Sequence, residues 1–178
     1  DGRSIALSLC PRQRGAGGGM RAQAPKVYLA SPRGQAPRPL TRPGKGYSAA
    51  AHARSIETSP CFSPDGHTVC LVSDLRGKPG LFTVPLEGGV LKPLPTRISG
   101  YCVEPAWNPV HADQIAFTAA CAGGFQVALY GMKEGQSYFI TQTSKGESAL
   151  EPFWMPDGRH LGYTLRSEKG YQLRLIDT

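Results

Sequence analysis

The residues of this chain that could do chemistry do not occur in the arrangements that chemistry needs. The pattern nearest to a nucleophile elbow is Gly46-Tyr47-Ser48-Ala49-Ala50, but it lacks the second glycine and no apolar strand precedes it. The glycines of 15–19 lack the Gly-Lys-Ser/Thr of a phosphate-binding loop. The four histidines, which show no metal-ligand spacing, are His52, His67, His111 and His160. We therefore predict a protein that is not an enzyme and that holds no metal or cofactor.

The cysteines offer a second kind of chemistry. The chain has five, with no Cys-x-x-Cys pair: Cys10, Cys61, Cys70, Cys102 and Cys121. Cys61 and Cys70 are equidistant from Asp65-Gly66, so they face each other if this turn closes a symmetric hairpin. A cross-strand disulfide is one interpretation. The other interpretation is that both cysteines are small, unpaired residues of the core. We favour it because Ala106 and Ala116 occupy the matching positions of the next repeat.

Composition and charge restrict the class of protein. The 178 residues suffice for about one domain, and no run of about 18 apolar residues predicts a membrane span. Much of the net charge of +7 comes from an early basic group: Arg12, Arg14, Arg21, Lys26, Arg33, Arg38, Arg42 and Lys45. Attraction to an anionic polymer or lipid is one explanation. Solvated insertions are the explanation we favour, because no aromatic residues interleave to stack on nucleic-acid bases.

A short hairpin organises the rest of the chain. Within Ser59–Asp74, the turn Pro64-Asp65-Gly66 is flanked by apolar residues on both sides. The motif Pro60–Gly66 returns without its Asp-Gly as Pro105–Pro109 and with it as Pro152–Gly158, at intervals of about 45 residues. A repeat of this length is typical of propeller blades.

Each repeat contains short strands between Gly and Pro punctuation. The predicted second strands are Ile5–Ser8, Val69–Val72, Ile115–Thr118 and Leu161–Thr164. The predicted third strands are Val27–Ala30, Leu81–Val84, Val127–Tyr130 and Leu173–Ile176. The predicted fourth strands end in Leu40-Thr41, Leu94-Pro95 and Ile140-Thr141. The pattern predicts an all-β fold, a β-propeller of four-stranded antiparallel blades, present as an arc of two whole and two partial blades.

The domain organisation follows from the same repeat. Residues 1–178 are predicted to be a single β-propeller fragment of a longer protein, because Asp1-Gly2 falls in the middle of a repeat. The first repeat is longer than the others. We assign the extra residues to basic or small-residue loop insertions at 10–25 and 43–55, and expect both to be mobile surface loops.

The repeat resembles that of the TolB family. The resemblance lies in Ser63–Gly66, Val72–Asp74, Leu81–Val84 and Glu87–Gly89, and again in Glu104–Trp107 followed by an apolar strand. It implies a six-bladed propeller behind a small N-terminal α/β domain. It also implies a non-enzymatic protein of the periplasm that binds the peptidoglycan-associated lipoprotein Pal and other Tol proteins. This activity would support outer-membrane integrity and cell division.

The resemblance also implies a partner-binding site. In the family, Pal docks on loops at the mouth of the channel, just before the Pro-x-Trp/Phe element. The matching positions are Ile56, Glu57, Thr58, Ser59, Val103, Glu104, Leu150 and Glu151. For Glu104 and Glu151, anchoring of the inner strand through local hydrogen bonds is an equal alternative.

Two other functions are compatible with this repeat. Propeller domains of prolyl-oligopeptidase-like serine peptidases carry it, with the catalytic domain elsewhere in the protein. Secreted propellers that bind carbohydrates or other ligands carry it as well. A downstream Gly-x-Ser-x-Gly would favour the peptidase, and binding of peptidoglycan fragments without a lipoprotein partner would favour the secreted propeller.

Overall fold

The computed structural model describes residues 4–14, 19–44 and 47–178. These residues form sixteen β-strands and one short helix, α1 (Ala49–Arg54). The strands are β1 (Ile5–Leu9), β2 (Arg12–Arg14), β3 (Met20–Ala22), β4 (Lys26–Ala30), β5 (Arg38–Pro39), β6 (Glu57–Phe62), β7 (Thr68–Ser73), β8 (Gly80–Pro85), β9 (Lys92–Pro93), β10 (Cys102–Trp107), β11 (Gln114–Cys121), β12 (Gly124–Gly131), β13 (Gln136–Phe139), β14 (Ser148–Trp154), β15 (His160–Ser167) and β16 (Gly170–Asp177). Within these ranges, no helix has the length and apolar character needed to cross a membrane.

The strands form four consecutive antiparallel blades. Blade 1 contains β1, β4 and β5, blade 2 contains β6 to β9, blade 3 contains β10 to β13, and blade 4 contains β14 to β16. The first strands of blades 2, 3 and 4 contact one another, β6 with β10 and β10 with β14, so they form the inner wall of the arc. The predicted propeller arc of two whole and two partial blades is confirmed.

The turn between the first two strands of a blade is built by one acidic or amide side chain. In blade 2, Asp65 Oδ1 accepts hydrogen bonds from Ser63 Oγ and from the backbone of His67, and Gly66 takes the left-handed conformation at φ 73°. In blade 3, where Asp-Gly is missing, Asn108 does this work. Its Oδ1 accepts from the N–H groups of Val110 and His111, each at 2.9 Å. A longer turn therefore keeps the same hairpin.

The core lies between the blades, because successive side chains of a strand point to opposite faces. In β7, Val69 and Leu71 pack toward blade 1, whereas Cys70 and Val72 pack toward blade 3. A strand that is buried on both faces has consecutive apolar residues in its sequence. The second strands of the blades were therefore the easiest to predict. The face of blade 4 turned away from blade 3 leaves Tyr171, Leu173 and Leu175 exposed.

The fourth strands end slightly earlier than predicted. The last strand residues are Pro39, Pro93 and Phe139, rather than the Leu-Thr, Leu-Pro and Ile-Thr pairs. The difference is small, because the backbone of the next residue still pairs with the third strand. The N–H groups of Leu40, Leu94 and Ile140 donate to carbonyl oxygens of that strand at 2.9 Å each.

The two insertions are more ordered in secondary structure than predicted. Instead of a loop at 10–25, β2 and β3 pair as an antiparallel ribbon, which needs backbone hydrogen bonds and few apolar side chains. Instead of a loop at 43–55, the chain forms α1. Residues 15–18 and 45–46 of these insertions lie outside the described residues.

The candidate nucleophile of the sequence begins this helix. Ser48 is the N-cap of α1, where its Oγ accepts a hydrogen bond from Ala51 N at 3.1 Å. A run of alanines follows and favours the helical conformation. Ser48 therefore has a structural role that the sequence pattern did not indicate.

Candidate partner-binding surface on the inner strands

The predicted site residues lie on the inner strands of the blades rather than in loops. Only Ile56 precedes its strand; the other seven fall inside β6, β10 or β14. The prediction of loops is therefore wrong. A proline usually marks the end of a central strand, but a strand at the edge of a sheet tolerates one, and the first strand of each blade is such an edge.

Each inner strand contains a β-bulge at the residue before its proline. In blade 3, Val103 pairs with Thr118 and Ala106 pairs with Ala116, so one extra residue is accommodated on β10. The registers of β6 and β14 shift at the same place. The bulged residues are Ser59, Glu104 and Glu151, with φ of 51°, 54° and 52°.

These three backbone conformations are strained. Positive φ is uncommon for residues other than glycine, and the steric demand of a following proline disfavours helical backbone conformations further. Strain of this kind persists only where the surrounding structure imposes it. Here the same bulge appears at Ser59, Glu104 and Glu151, so it is a regular part of the blade.

The two acidic bulge residues anchor the inner wall. Glu104 Oε2 accepts a hydrogen bond from Thr118 Oγ1 at 2.6 Å and one from the backbone N–H of Glu151 at 2.9 Å. Glu151 Oε2 accepts from Thr164 Oγ1 at 3.0 Å. Glu104 thus joins blade 3 to blade 4, and local anchoring of the inner strands is a role that both carboxylates have in this structure.

Blade 2 lacks this anchor. Ser59 and Val72 occupy the positions of Glu104 and Thr118. Ser59 is exposed, and Glu104 is partly buried. The backbone of the bulge is therefore the same in blades 2 and 3, but the side chain at the bulge differs. Thr118 and Thr164 were not identified from the sequence as partners of the two glutamates.

Glu57 must be removed from the predicted surface. Its side chain is 0% exposed, whereas the neighbouring Ile56 is 45% exposed. Glu57 Oε2 accepts hydrogen bonds from Thr41 Oγ1 at 2.7 Å and from Val27 N at 3.2 Å. A partner could not reach this carboxylate, because blade 1 already covers it.

The carboxylate of Glu57 is the centre of a buried polar cluster. Lys26 Nζ lies 3.3 Å from Glu57 Oε1, and His52 Nε2 lies 3.4 Å from the same atom. Lys26 also donates to the carbonyl oxygen of Ser55 at 2.6 Å, just after α1. Burial, together with the positive charge of Lys26, lowers the pKa of His52. The cluster holds α1 against the junction of blades 1 and 2.

The accessible part of the site is a surface of mixed character. We call it the inner-strand surface: Ile56, Thr58, Ser59, Val103, Glu104, Leu150 and Glu151. It combines hydroxyl and carboxylate groups with apolar side chains on three blades whose inner strands touch. This composition suits contact with another macromolecule. It lacks the paired nucleophile and base that covalent catalysis needs.

Two of the histidines, His52 and His160, contact carboxylates that stabilise the fold. His52 belongs to the buried cluster, and His160 Nδ1 lies 2.5 Å from Asp157 Oδ2 in the turn of blade 4. The hydrogen bonds from His160 lower the pKa of Asp157 to about 2. Across the part of the chain that the structure describes, no group of three or more His, Cys, Asp or Glu side chains is placed to hold a metal ion.

Comparison with known proteins decides the family. The sequence profile of the TolB β-propeller domain matches residues 24–178. The chain belongs to this family. It is 30% identical over 134 residues to the protein TolB homolog of Chlorobium luteolum, and 30% identical over 112 residues to that of Chlorobium chlorochromatii. These matches cover 75% and 62% of the chain but only 29% and 24% of the relatives.

Solved structures support the fold. TolB from Acinetobacter baumannii superposes with a TM-score of 0.70 at 19% identity, over 98% of this chain and 39% of that one. Prolyl oligopeptidase B from Galerina marginata superposes with a TM-score of 0.67 at 10% identity, over 98% of this chain and 25% of the peptidase. At these identities the likeness shows the propeller fold alone. The TolB assignment rests on the sequence.

Proposed function

We propose that this chain is part of a non-enzymatic interaction scaffold in the periplasm, and that its inner-strand surface binds a peptidoglycan-associated lipoprotein of the Pal type. Through this contact and contacts with other Tol proteins, it would support outer-membrane integrity and cell division. The proposal rests on one observation above all. A chain of the TolB family repeats the same strained bulge at Ser59, Glu104 and Glu151, on three neighbouring inner strands.

The chemistry of the surface supports a protein partner. The inner strands of three blades lie side by side, β6 against β10 and β10 against β14, so a docking segment can reach all three. Bulges re-aim side chains and interrupt the strand edge, which leaves hydroxyl and carboxylate groups for a partner. Glu104 and Glu151 would then anchor the wall while their remaining lone pairs meet donors of the lipoprotein.

The experiment is a binding titration of the whole protein with the folded domain of a Pal-like lipoprotein. Val103→Lys adds a charge to the half-buried centre of the surface. Val110→Lys is the matched control, since it makes the same substitution in the turn at the other end of β10, where the valine is 55% exposed. We expect Val103→Lys to weaken binding at least about tenfold, which corresponds to ~1.4 kcal/mol, and Val110→Lys to leave it unchanged.

The outcomes separate the function from the site. If the wild-type protein does not bind the lipoprotein, the proposed function is wrong. If Val103→Lys binds as the wild type does, the function stands and the inner-strand surface is not the site. Hydrolysis of peptides by the whole protein would instead favour a peptidase propeller, whose fold is the same.

A further inference from the structure

Two cysteines of blade 2 lie directly opposite each other. Cys61 on β6 pairs with Cys70 on β7, one step beyond the bulge at Ser59. Opposed residues of an antiparallel pair have Cα atoms roughly 4.5–5.5 Å apart, which falls within the range of about 4.4–6.8 Å found in disulfides. Both side chains lie in the same cluster between blades 2 and 3, so they are on the same face of the sheet.

The two thiols have different surroundings. Cys61 is half-buried, whereas Cys70 is 0% exposed. The side chain of Cys70 lowers the pKa of Cys61, burial opposes this effect, and the main chain of Trp107 adds to it. The same thiol contact and its own burial raise the pKa of Cys70. Cys61 is therefore the more acidic of the two thiols, and it belongs to the less buried of the two residues.

We propose that Cys61 and Cys70 are a redox pair that closes to a reversible disulfide beside the inner-strand bulge of blade 2. The oxidant is a low-molecular-weight disulfide such as glutathione disulfide. The Cys61 thiolate attacks it and forms a mixed disulfide, while the S–S bond of the oxidant breaks and one thiol leaves. The Cys70 thiolate then attacks the Cys61 sulfur: the Cys61–Cys70 bond forms, the mixed disulfide bond breaks, and the second thiol leaves. Two protein thiols are oxidised, one external disulfide is reduced, and the two protons end on the released thiols.

The chain contains a matched pair that should not react. Cys102 and Cys121 are also on the first and second strands of a blade, but the residue opposite Cys102 is Ala119. Cys102 and Cys121 are thus diagonal neighbours, at about 7–8 Å, which is beyond disulfide reach. The positions of blade 3 that match the proposed pair hold Ala106 and Ala116. Register therefore distinguishes the reactive pair from the unreactive one within a single protein.

Peptide mapping tests the proposal with an internal control. The whole native protein is equilibrated with glutathione buffers of rising disulfide fraction, its remaining thiols are alkylated in denaturant, and it is digested with trypsin. One tryptic peptide, 55–76, holds Cys61 and Cys70, and another, 98–133, holds Cys102 and Cys121. We expect 55–76 to lose two hydrogen atoms and take up no alkyl group, under buffers in which 98–133 is still alkylated twice.

Two results would overturn the proposal. One is double alkylation of 55–76 at every buffer composition. The other is a glutathione adduct that persists on Cys61, which would show a reactive thiol that Cys70 does not resolve. A second measurement needs no mapping: the oxidised wild type should unfold at a higher temperature than the reduced protein, and Cys61→Ser should lose this difference. An equal midpoint for oxidised and reduced wild type would count against the disulfide as well.

Discussion

The junction of blades 1 and 2 and the junction of blades 3 and 4 use the same strand position in opposite ways. Glu57 and Ala149 occupy equivalent places, three residues before the proline of their inner strands. Ala149 is buried in an apolar cluster, whereas Glu57 is buried among Lys26, Thr41 and His52. The difference follows from the insertion that forms α1. At this one strand position, a charged cluster that includes His52 of α1 takes the place of the apolar contact that Ala149 makes.

The largest expected effect is loss of the buried charge. Glu57→Gln keeps the shape of the side chain but leaves the partly buried Lys26 without its counter-charge, so we expect the free energy of unfolding to fall by about 3 kcal/mol. Urea denaturation of the whole protein measures this change. Glu168→Gln, on the exposed turn between β15 and β16, is the matched control and should change stability by less than ~0.5 kcal/mol. A loss below ~1 kcal/mol for Glu57→Gln would show that the cluster is not integral to the junction.

Next in size is the carboxylate that links blades 3 and 4. Glu104→Ala removes acceptors from Thr118 and from the backbone of Glu151, and we expect a loss of about 2 kcal/mol, since hydrogen bonds to a charged group are the stronger kind. The same urea series measures it. Ser59→Ala, at the equivalent bulge of blade 2, should cost less than ~0.5 kcal/mol. Equal losses at the two bulges would contradict the asymmetry between them.

The smallest expected effect is a pH dependence of the free energy of unfolding, which arises from His52 at the junction of blades 1 and 2. Because the pKa of His52 is lowered on folding, the unfolded chain takes up the proton first. The stability contributed by neutral His52 is present above about pH 6.5 and is lost as the pH falls through the lower pKa of the folded protein. The slope has an upper limit of ~1.4 kcal/mol per pH unit for one proton.

The measurement is unfolding free energy at several pH values between about 7 and 5. His52→Gln should flatten the slope. His111→Gln, in an exposed turn of blade 3, should keep it. A slope that survives His52→Gln would show that other groups set the pH dependence, even though Lys26 and Glu57 are the charges that face His52.

The comparison also shows which features a sequence can predict. The blades were predictable because Pro64-Asp65-Gly66 and its copies recur, and because second strands such as β7 are apolar on both faces. The bulges could not be predicted, because no residue-type pattern indicates that a serine or glutamate before a proline will adopt positive φ. The ribbon of β2 and β3 was missed because its pairing uses the backbone, which any side-chain sequence can support.

The sequence predicted which positions belong to the site, but it did not predict which side chains are buried or which residues they contact. Glu57 looked like a surface residue because two of its partners, Thr41 and Lys26, are 16 and 31 residues away along the chain. Thr118 was not identified because its contact with Glu104 depends on strand register, which composition does not reveal. Long-range contacts of this kind bury Glu57, whereas Glu151 remains exposed.

The central claim is that the inner-strand surface contacts the partner, and photo-crosslinking tests it most directly. A photoreactive amino acid replaces Ile56, which is 45% exposed beside the inner strand of blade 2, or Val110, which is 55% exposed in the turn at the opposite end of blade 3. Each whole protein is then irradiated with the Pal-like lipoprotein. We predict a crosslink from position 56 and none from position 110. Efficient binding with a crosslink from position 110 alone would contradict the account.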